Sequence, residues 1–317
     1  MQSLSTETSA QIHALTPPDR IVMDQMRAMV EPNKGKLRGV GARAPYEAIM
    51  GRVVAPDGVT FRPDKIGGIA GWWCEPADAK PGVVILHLHG GWFNWGSAES
   101  FRHLVGHIAR SARAKAFVPD YRLAPENPFP AAVEDVHACY LGLLESGTRS
   151  IALTGDSAGG NLALVLLALV SARSSASGAA VGAAVLSPVT DLAMKGASWD
   201  SRGTADPLFV RDQVEELVGA YLNGRDPEDS AASPLYGNLA GLPPVRVHVG
   251  DDEVLLDDSI RYVERAVAAG VDAKVDVWEG MVHGFLGNIG RLDAAAGALQ
   301  AIGAFLSNRF TASAEVE

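Results

Sequence analysis

The chain has 317 residues, 47% of them apolar, and its 37 acidic against 27 basic side chains give a net charge of −10. That length holds one large α/β domain or two smaller ones, and the acidic balance argues against nucleic-acid or anionic-membrane partners. No apolar run approaches the roughly 18 residues that span a membrane, and the N-terminus lacks the basic, apolar, small-residue order of a signal peptide, so a cytoplasmic protein with no membrane insertion is expected.

In chain order, residues 1–50 carry two amphipathic helical patterns and a break at Pro17-Pro18. A strand at 69–75 with a partner near 59–64 reads as an antiparallel edge. Val83–His87, Ala116–Pro119, Ile151–Thr154, Ala183–Ser187, Val245–Val249 and Ala273–Trp278 read as strands, and helical stretches near 99–113, 130–145, 158–173, 257–269 and 292–308 alternate with them. This order predicts an α/β fold: a mostly parallel central sheet with helices on both faces. Residues 191–240 interrupt the alternation and hold one clear helix, at about 211–222. Insertions after strand ends overlie the ligand crevice in such sheets. Residues 1–50 and 191–240 are therefore expected to cap a core of 51–190 and 241–310, with 311–317 as a disordered tail. Cys74 and Cys139 lie in apolar strand and helix contexts without metal-type spacing and read as structural thiols.

The run Gly155-Asp156-Ser157-Ala158-Gly159 is a G-x-S-x-G pattern between the strand at 151–154 and an apolar helix. That is the setting of a nucleophile elbow, in which a tight turn presents a serine above the sheet at a helix N-terminus. A serine alcohol needs a base, a group that orients the base, and donors for a tetrahedral oxyanion. Of the eight histidines, His283 alone follows the serine in a short Gly-flanked loop after a strand, in Gly280-Met281-Val282-His283-Gly284. His248 lies inside a strand and reads as a packed core residue, while His13, His103, His107 and His137 fall on predicted helices. His103 and His107 stand four apart but lack the glutamate of a zinc-protease helix. The acid lies in the strand-to-helix loop Gly250-Asp251-Asp252-Glu253, either Asp252 or Glu253, with Asp257 and Asp258 read as caps at a helix start. After the strand at 83–87 comes His87-Leu88-His89-Gly90-Gly91-Trp92, whose glycines allow backbone N–H groups to face a substrate. Gly90, Gly91 and Ala158 are the expected oxyanion donors, with His89 orienting the loop. A His-x-His metal site would need further ligands, and Gly-Gly-Trp follows instead.

Taken together, these residues resemble the hormone-sensitive-lipase-like (family IV) bacterial esterases of the α/β-hydrolase fold. The likeness rests on His89-Gly90-Gly91-Trp92, on Gly155-Asp156-Ser157-Ala158-Gly159-Gly160-Asn161, and on Asp120-Tyr121-Arg122-Leu123-Ala124-Pro125-Glu126 with Phe129-Pro130-Ala131-Ala132 and Asp135, spanning roughly residues 50–310. It implies Ser157 as nucleophile, His283 as general base and a cap built from N-terminal helices and an insertion. The family's Asp-Pro-Leu-x-Asp-Glu run aligns with Glu253-Val254-Leu255-Leu256-Asp257-Asp258, which puts Glu253 on the acid position and leaves Asp252 as the alternative. The Tyr-Arg-Leu-Ala-Pro-Glu run is structural by the same comparison. The implied activity is hydrolysis of short- to medium-chain acyl esters through an acyl-enzyme, without metal or organic cofactor, and a homodimer fits the family. Lactone hydrolysis would use the same groups, and a non-catalytic binding protein on this fold would lack one of them. Trp92, Phe93, Trp95, Leu208 and Phe209, with Leu217, are expected to wall the substrate pocket.

Overall fold

Runs rich in valine, isoleucine, leucine and alanine that are buried on both faces make strands of a parallel sheet, and here they lie between two helical layers. The computed structural model describes residues 9–173 and 179–314. Among these, β1 (Ala10–His13), β2 (Val59–Ile66), β3 (Ile69–Pro76), β4 (Val83–Leu88), β5 (Lys115–Pro119), β6 (Ser150–Asp156), β7 (Ala180–Leu186), β8 (Val245–Gly250) and β9 (Ala273–Trp278) form one sheet. Its order is β1-β9-β8-β7-β6-β4-β5-β3-β2. Only β2–β3 and β3–β5 are antiparallel; every other pair is parallel.

The helices are α1 (Pro17–Val30), α2 (Arg43–Met50), α3 (Ala98–Ala112), α4 (Ala131–Glu145), α5 (Ala158–Arg173), α6 (Ser198–Ser201), α7 (Arg211–Leu222), α8 (Leu256–Ala268) and α9 (Asp293–Ala314). The two-residue period of a strand sends alternate side chains to opposite faces. Leu86, Leu153 and Val185 accordingly join one core with α4, α5, α7 and α8, while Ile85, Ala152 and Ala184 join another with α3 and α9. Helix α5 presents apolar residues all round, Leu162 to Leu167 being buried, because it is enclosed on every side.

Three expectations need correction. Pro17-Pro18 does not break a helix: it opens α1, where proline's missing N–H is no loss, behind a Thr16 cap that accepts Asp19 N–H at 3.2 Å. His13 is not helical but ends β1, which pairs in parallel with β9. Its ring stacks on Trp278 at 3.9 Å and its Nε2 lies 2.6 Å from Asp276. The segment expected as a disordered tail is helical through Ala314, the end of α9, with Ser313 Oγ 2.8 Å from Ser150 Oγ; residues 315–317 lie outside the described residues. Among the described residues no helix is long and apolar enough to cross a membrane.

The N-terminal and inserted segments are tied to each other and to the core. Asp19, a buried carboxylate on α1, accepts the N–H groups of Asp293 (2.7 Å) and Ala294 (3.0 Å) and so caps α9 from another element. Gly35 N–H bonds Leu208 O at 2.9 Å, Gln213 Nε2 bonds Leu37 O at 2.7 Å, and Arg38 pairs with Asp212 and Glu216.

Candidate active site

Parallel strands deliver their C-terminal ends to one edge of the sheet, and five neighbouring strand ends, those of β4, β6, β7, β8 and β9, carry the polar groups here. After β6, Ser157 sits at φ 56°, a left-handed conformation that costs a non-glycine residue energy. The turn is held by Ser157 N–H to Leu186 O (2.8 Å) and Val189 N–H to Ser157 O (3.1 Å), and α5 starts at the next residue. The flanking glycines are needed for close approach. A Cβ on Gly159 would lie 1.9 Å from Leu88 O, and one on Gly155 would lie 2.3 Å from Gly159 O.

The loops after β8 and β9 are interlocked. Asp252 N–H reaches Met281 O at 3.1 Å, Asp251 N–H reaches Trp278 O at 3.1 Å, and Gly280 N–H reaches Asp251 Oδ1 at 2.6 Å. This register brings Glu253, fully buried, against His283: Oε2 lies 2.8 Å from Nδ1. The other oxygen accepts Ser187 Oγ–H and Gly250 N–H, both at 2.7 Å. Burial works against a charged His283, but the Glu253 hydrogen bond and charge, with Asp206 and Asp156 behind them, outweigh it and hold the imidazole above its usual pKa. Asp252 points elsewhere, into an ion pair with Arg27 of α1. Ser157 shares the edge, two strands from β8, and among the described residues no hydrogen bond joins its hydroxyl to His283; such bonds in hydrolase sites often tighten only when substrate is bound. A cavity of about 30 Å³, lined by Met50, Asp156, Ser187 and His283 among others, adjoins the imidazole and has room for water.

In the sequence Ser187 stands out only as the end of a strand. It follows β7, is buried at φ 41°, and bonds its N–H to His248 O at 2.8 Å. The available signal was a serine-proline step at the end of the strand beside the one that carries the elbow.

In the loop after β4, His89 stacks on Tyr121 at 4.2 Å and its Nδ1 lies 2.9 Å from Gly90 O; burial depresses its pKa. Tyr121 O–H donates to His89 O at 2.6 Å. Gly90 is not a free donor, contrary to expectation: its N–H is committed to Asp156 Oδ1 at 3.0 Å. The N–H groups of Gly91, Trp92 and Ala158 have no acceptor among the described residues. Gly91 at φ 119° lies so close to Trp95 O that a Cβ would sit 2.3 Å away, and Trp92 and Phe93 continue the left-handed backbone at φ 52° and 62°.

The expected aromatic wall divides. Trp92 meets Phe209 edge-on at 5.4 Å, and Phe209 meets His283 edge-on at 5.1 Å. Phe93 stacks on Tyr221 at 3.8 Å, and Trp95 donates its Nε1–H to Gly39 O at 2.8 Å, so both brace the loop. Leu217 is core, and Leu208 joins through its carbonyl. Asp257 and Asp258 do not cap α8: Asp257 accepts Ser198 N–H at 3.1 Å, and Asp258 Oδ2 accepts Thr190 N–H (2.7 Å) and Asp191 N–H (2.9 Å), pinning the start of the inserted segment. His103 and His107 bind the carbonyls of Val53 and Val54 at 2.8 and 2.9 Å. Among the described residues no three His, Cys, Asp or Glu side chains are grouped as metal ligands would be. The Tyr-Arg-Leu-Ala-Pro-Glu run is braced by Arg122 on Asp135 (3.0 Å) and Arg43 on Glu126 (2.6 Å).

A mostly parallel sheet with a strained serine at a strand-to-helix turn, and a buried carboxylate–imidazole couple two strands away, defines an α/β-hydrolase. Comparison with known proteins agrees. Residues 85–287 match the family described as alpha/beta hydrolase fold. The chain is 37% identical to an acetyl-hydrolase of Streptomyces hygroscopicus over 76% of its length and 80% of that protein's. It is 30% identical to the carboxylesterase NlhH of Mycobacterium tuberculosis, with 76% of each covered. Among solved structures, EstE5 soaked with ethyl alcohol superposes with a TM-score of 0.86 at 35% identity, over 94% of this chain and 100% of that one. An esterase of the bacterial hormone-sensitive lipase family gives 0.85 at 35% identity, over 94% and 99%. The chain belongs to the α/β-hydrolase family, among the bacterial esterases of hormone-sensitive-lipase type, and is a carboxylic ester hydrolase.

Proposed function

We propose that Ser157 attacks the ester carbonyl while His283 accepts its proton, and that Glu253 is the carboxylate that fixes the imidazole tautomer and balances the imidazolium. The observation that carries this reading is the relay of Ser187 Oγ to Glu253 at 2.7 Å and Glu253 to His283 Nδ1 at 2.8 Å, at the same sheet edge as the strained serine. With Nδ1–H held by Glu253, Nε2 is the nitrogen left to act as base. The oxyanion is assigned to the N–H groups of Gly91 and Ala158, joined by Trp92 in place of Gly90, at the positive end of α5. Protonation of the leaving alcohol by His283 leaves an acyl-enzyme, which water hydrolyses by the same steps in reverse. The N-terminal segment and residues 191–240 act as a cap, and Trp92 and Phe209 bound the pocket. The substrates assigned are small-molecule esters of short to medium acyl chains.

Ser157→Ala is expected to remove hydrolysis of p-nitrophenyl butyrate and labelling by a fluorophosphonate probe, with an unchanged circular dichroism spectrum. Turnover close to that of the parent enzyme in that variant would defeat the assignment.

A further inference from the structure

Asp206 lies in the inserted segment, is 0% exposed, and has no ion-pair partner among the described residues. A buried carboxylate is costly unless its lone pairs are used. Here three backbone N–H groups use them: Oδ1 accepts Leu208 (2.7 Å) and Phe209 (3.0 Å), and Oδ2 accepts Val254 (3.0 Å). One oxygen therefore shapes the turn that presents Phe209, and the other crosses to the loop after β8 and grips the residue next to Glu253. Phe209 in turn lies edge-on to the His283 imidazole at 5.1 Å. On the opposite side of Glu253, Asp252 is held by Arg27, which also donates to Ala205 O at 2.5 Å, one residue before Asp206. Glu253 is thus flanked in the chain by two residues that these segments hold, while its carboxylate bonds Ser187, Gly250 and His283.

We propose that Asp206 is a positioning residue for ester hydrolysis: through Val254 it sets Glu253, and through Phe209 it sets the His283 ring and the wall facing the ester. The inference rests on the reading of Ser157, His283 and Glu253 as the reacting groups. Asparagine at this position has one acceptor oxygen, so either the Val254 N–H or the Leu208 and Phe209 pair must face an NH₂ group. The structure assigns no contact between Asp206 and substrate, and its effect runs through geometry and charge. The charged groups that act on His283 are Glu253, Asp206 and Asp156.

The test compares the parent enzyme with Asp206→Asn and Phe209→Leu in p-nitrophenyl butyrate hydrolysis across pH and in fluorophosphonate titration. Asp206→Asn is expected to label Ser157 to the same end point, to lose about ten- to hundred-fold in kcat with KM within about three-fold, and to move the acid limb of kcat/KM to lower pH. The direction follows because Asp206, a carboxyl whose own pKa burial raises, is one of three groups that favour the imidazolium. A lower melting temperature with kcat per labelled site and the acid limb both unchanged would make Asp206 a simple staple and overturn the proposal. If Asp206→Asn does not fold, Phe209→Leu decides: slower labelling and lower kcat support the positioning role, and parent values overturn it. Labelling in Ser157→Ala would instead strike at the reading beneath, which keeps the two failures apart.

Discussion

At Glu253 two buried hydrogen bonds converge on one carboxylate oxygen and the imidazole takes the other, so both oxygens are used. Replacing it by glutamine retains the shape but offers NH₂ to at least one donor and loses the charge that favours the imidazolium. Glu253→Gln should lower kcat by about 10³- to 10⁴-fold, the scale at which the orienting carboxylate of a serine triad matters. On the proposed base role of His283 it should also shift the acid limb of kcat/KM downward, since Glu253, with Asp206 and Asp156, raises the imidazole pKa against burial. Asp252→Asn should leave kcat within about ten-fold, because that side chain serves Arg27 and sits a quarter exposed. Steady-state kinetics on the two variants checks both; equal losses would refute the choice between the acids. The G-x-S-x-G glycines, the serine and His283 were legible in the sequence because each is dictated by its own short segment. Between Asp252 and Glu253 the residues alone left the choice open and the family resemblance favoured Glu253, because adjacent residues in a loop point in different directions and only the packing of β8 and β9 turns one of them to His283.

At the scale of elements, the N-terminal segment is held by polar contacts at its helix ends. Asp19 supplies two acceptors to the otherwise unpartnered first N–H groups of α9. Asp19→Ala should cost about 1–3 kcal/mol, the penalty for buried donors left unpaired, read as a lower urea midpoint with the slope unchanged. An unaltered midpoint would show that water replaces the carboxylate. The pattern of strands and helices in the core could be read from periodicity, whereas β1 could not: a four-residue strand whose outer positions are exposed has no apolar signature, and the edge of β9 makes it a strand. Pro17-Pro18 was ambiguous for a related reason, since proline ends one helix and starts another with equal ease, and the Thr16 cap decides.

For the molecule as a whole, the inserted segment is anchored through a buried carboxyl group whose proton burial favours. Burial lifts Asp258 to about 7, against which the Thr190 and Asp191 N–H groups act only in part. The folded value lies above that of the unfolded chain, so this contribution to stability is intact below pH 3.8 and is lost as pH rises to about 7. Asp258→Asn removes the titration while its amide oxygen can still accept both N–H groups, and Asp258 Oδ1 has no partner to lose. The gain in melting temperature over the parent should therefore grow from pH 5 to pH 8; a difference independent of pH would contradict it.

What the chain's order of residues determined unaided was local geometry and layering: the glycines of the elbow, the alternating strands and helices, the serine before the acid before the histidine. These follow from steric limits and hydrophobic period, which act within a few residues. Tertiary structure alone decided that Glu253 meets His283, that Asp156 occupies the Gly90 amide, that Ser187 bonds Glu253 and that Asp206 joins the insertion to Val254. Each of those is a hydrogen bond between segments far apart in sequence, and a direction for a lone pair or an N–H exists only once the strands have set the register.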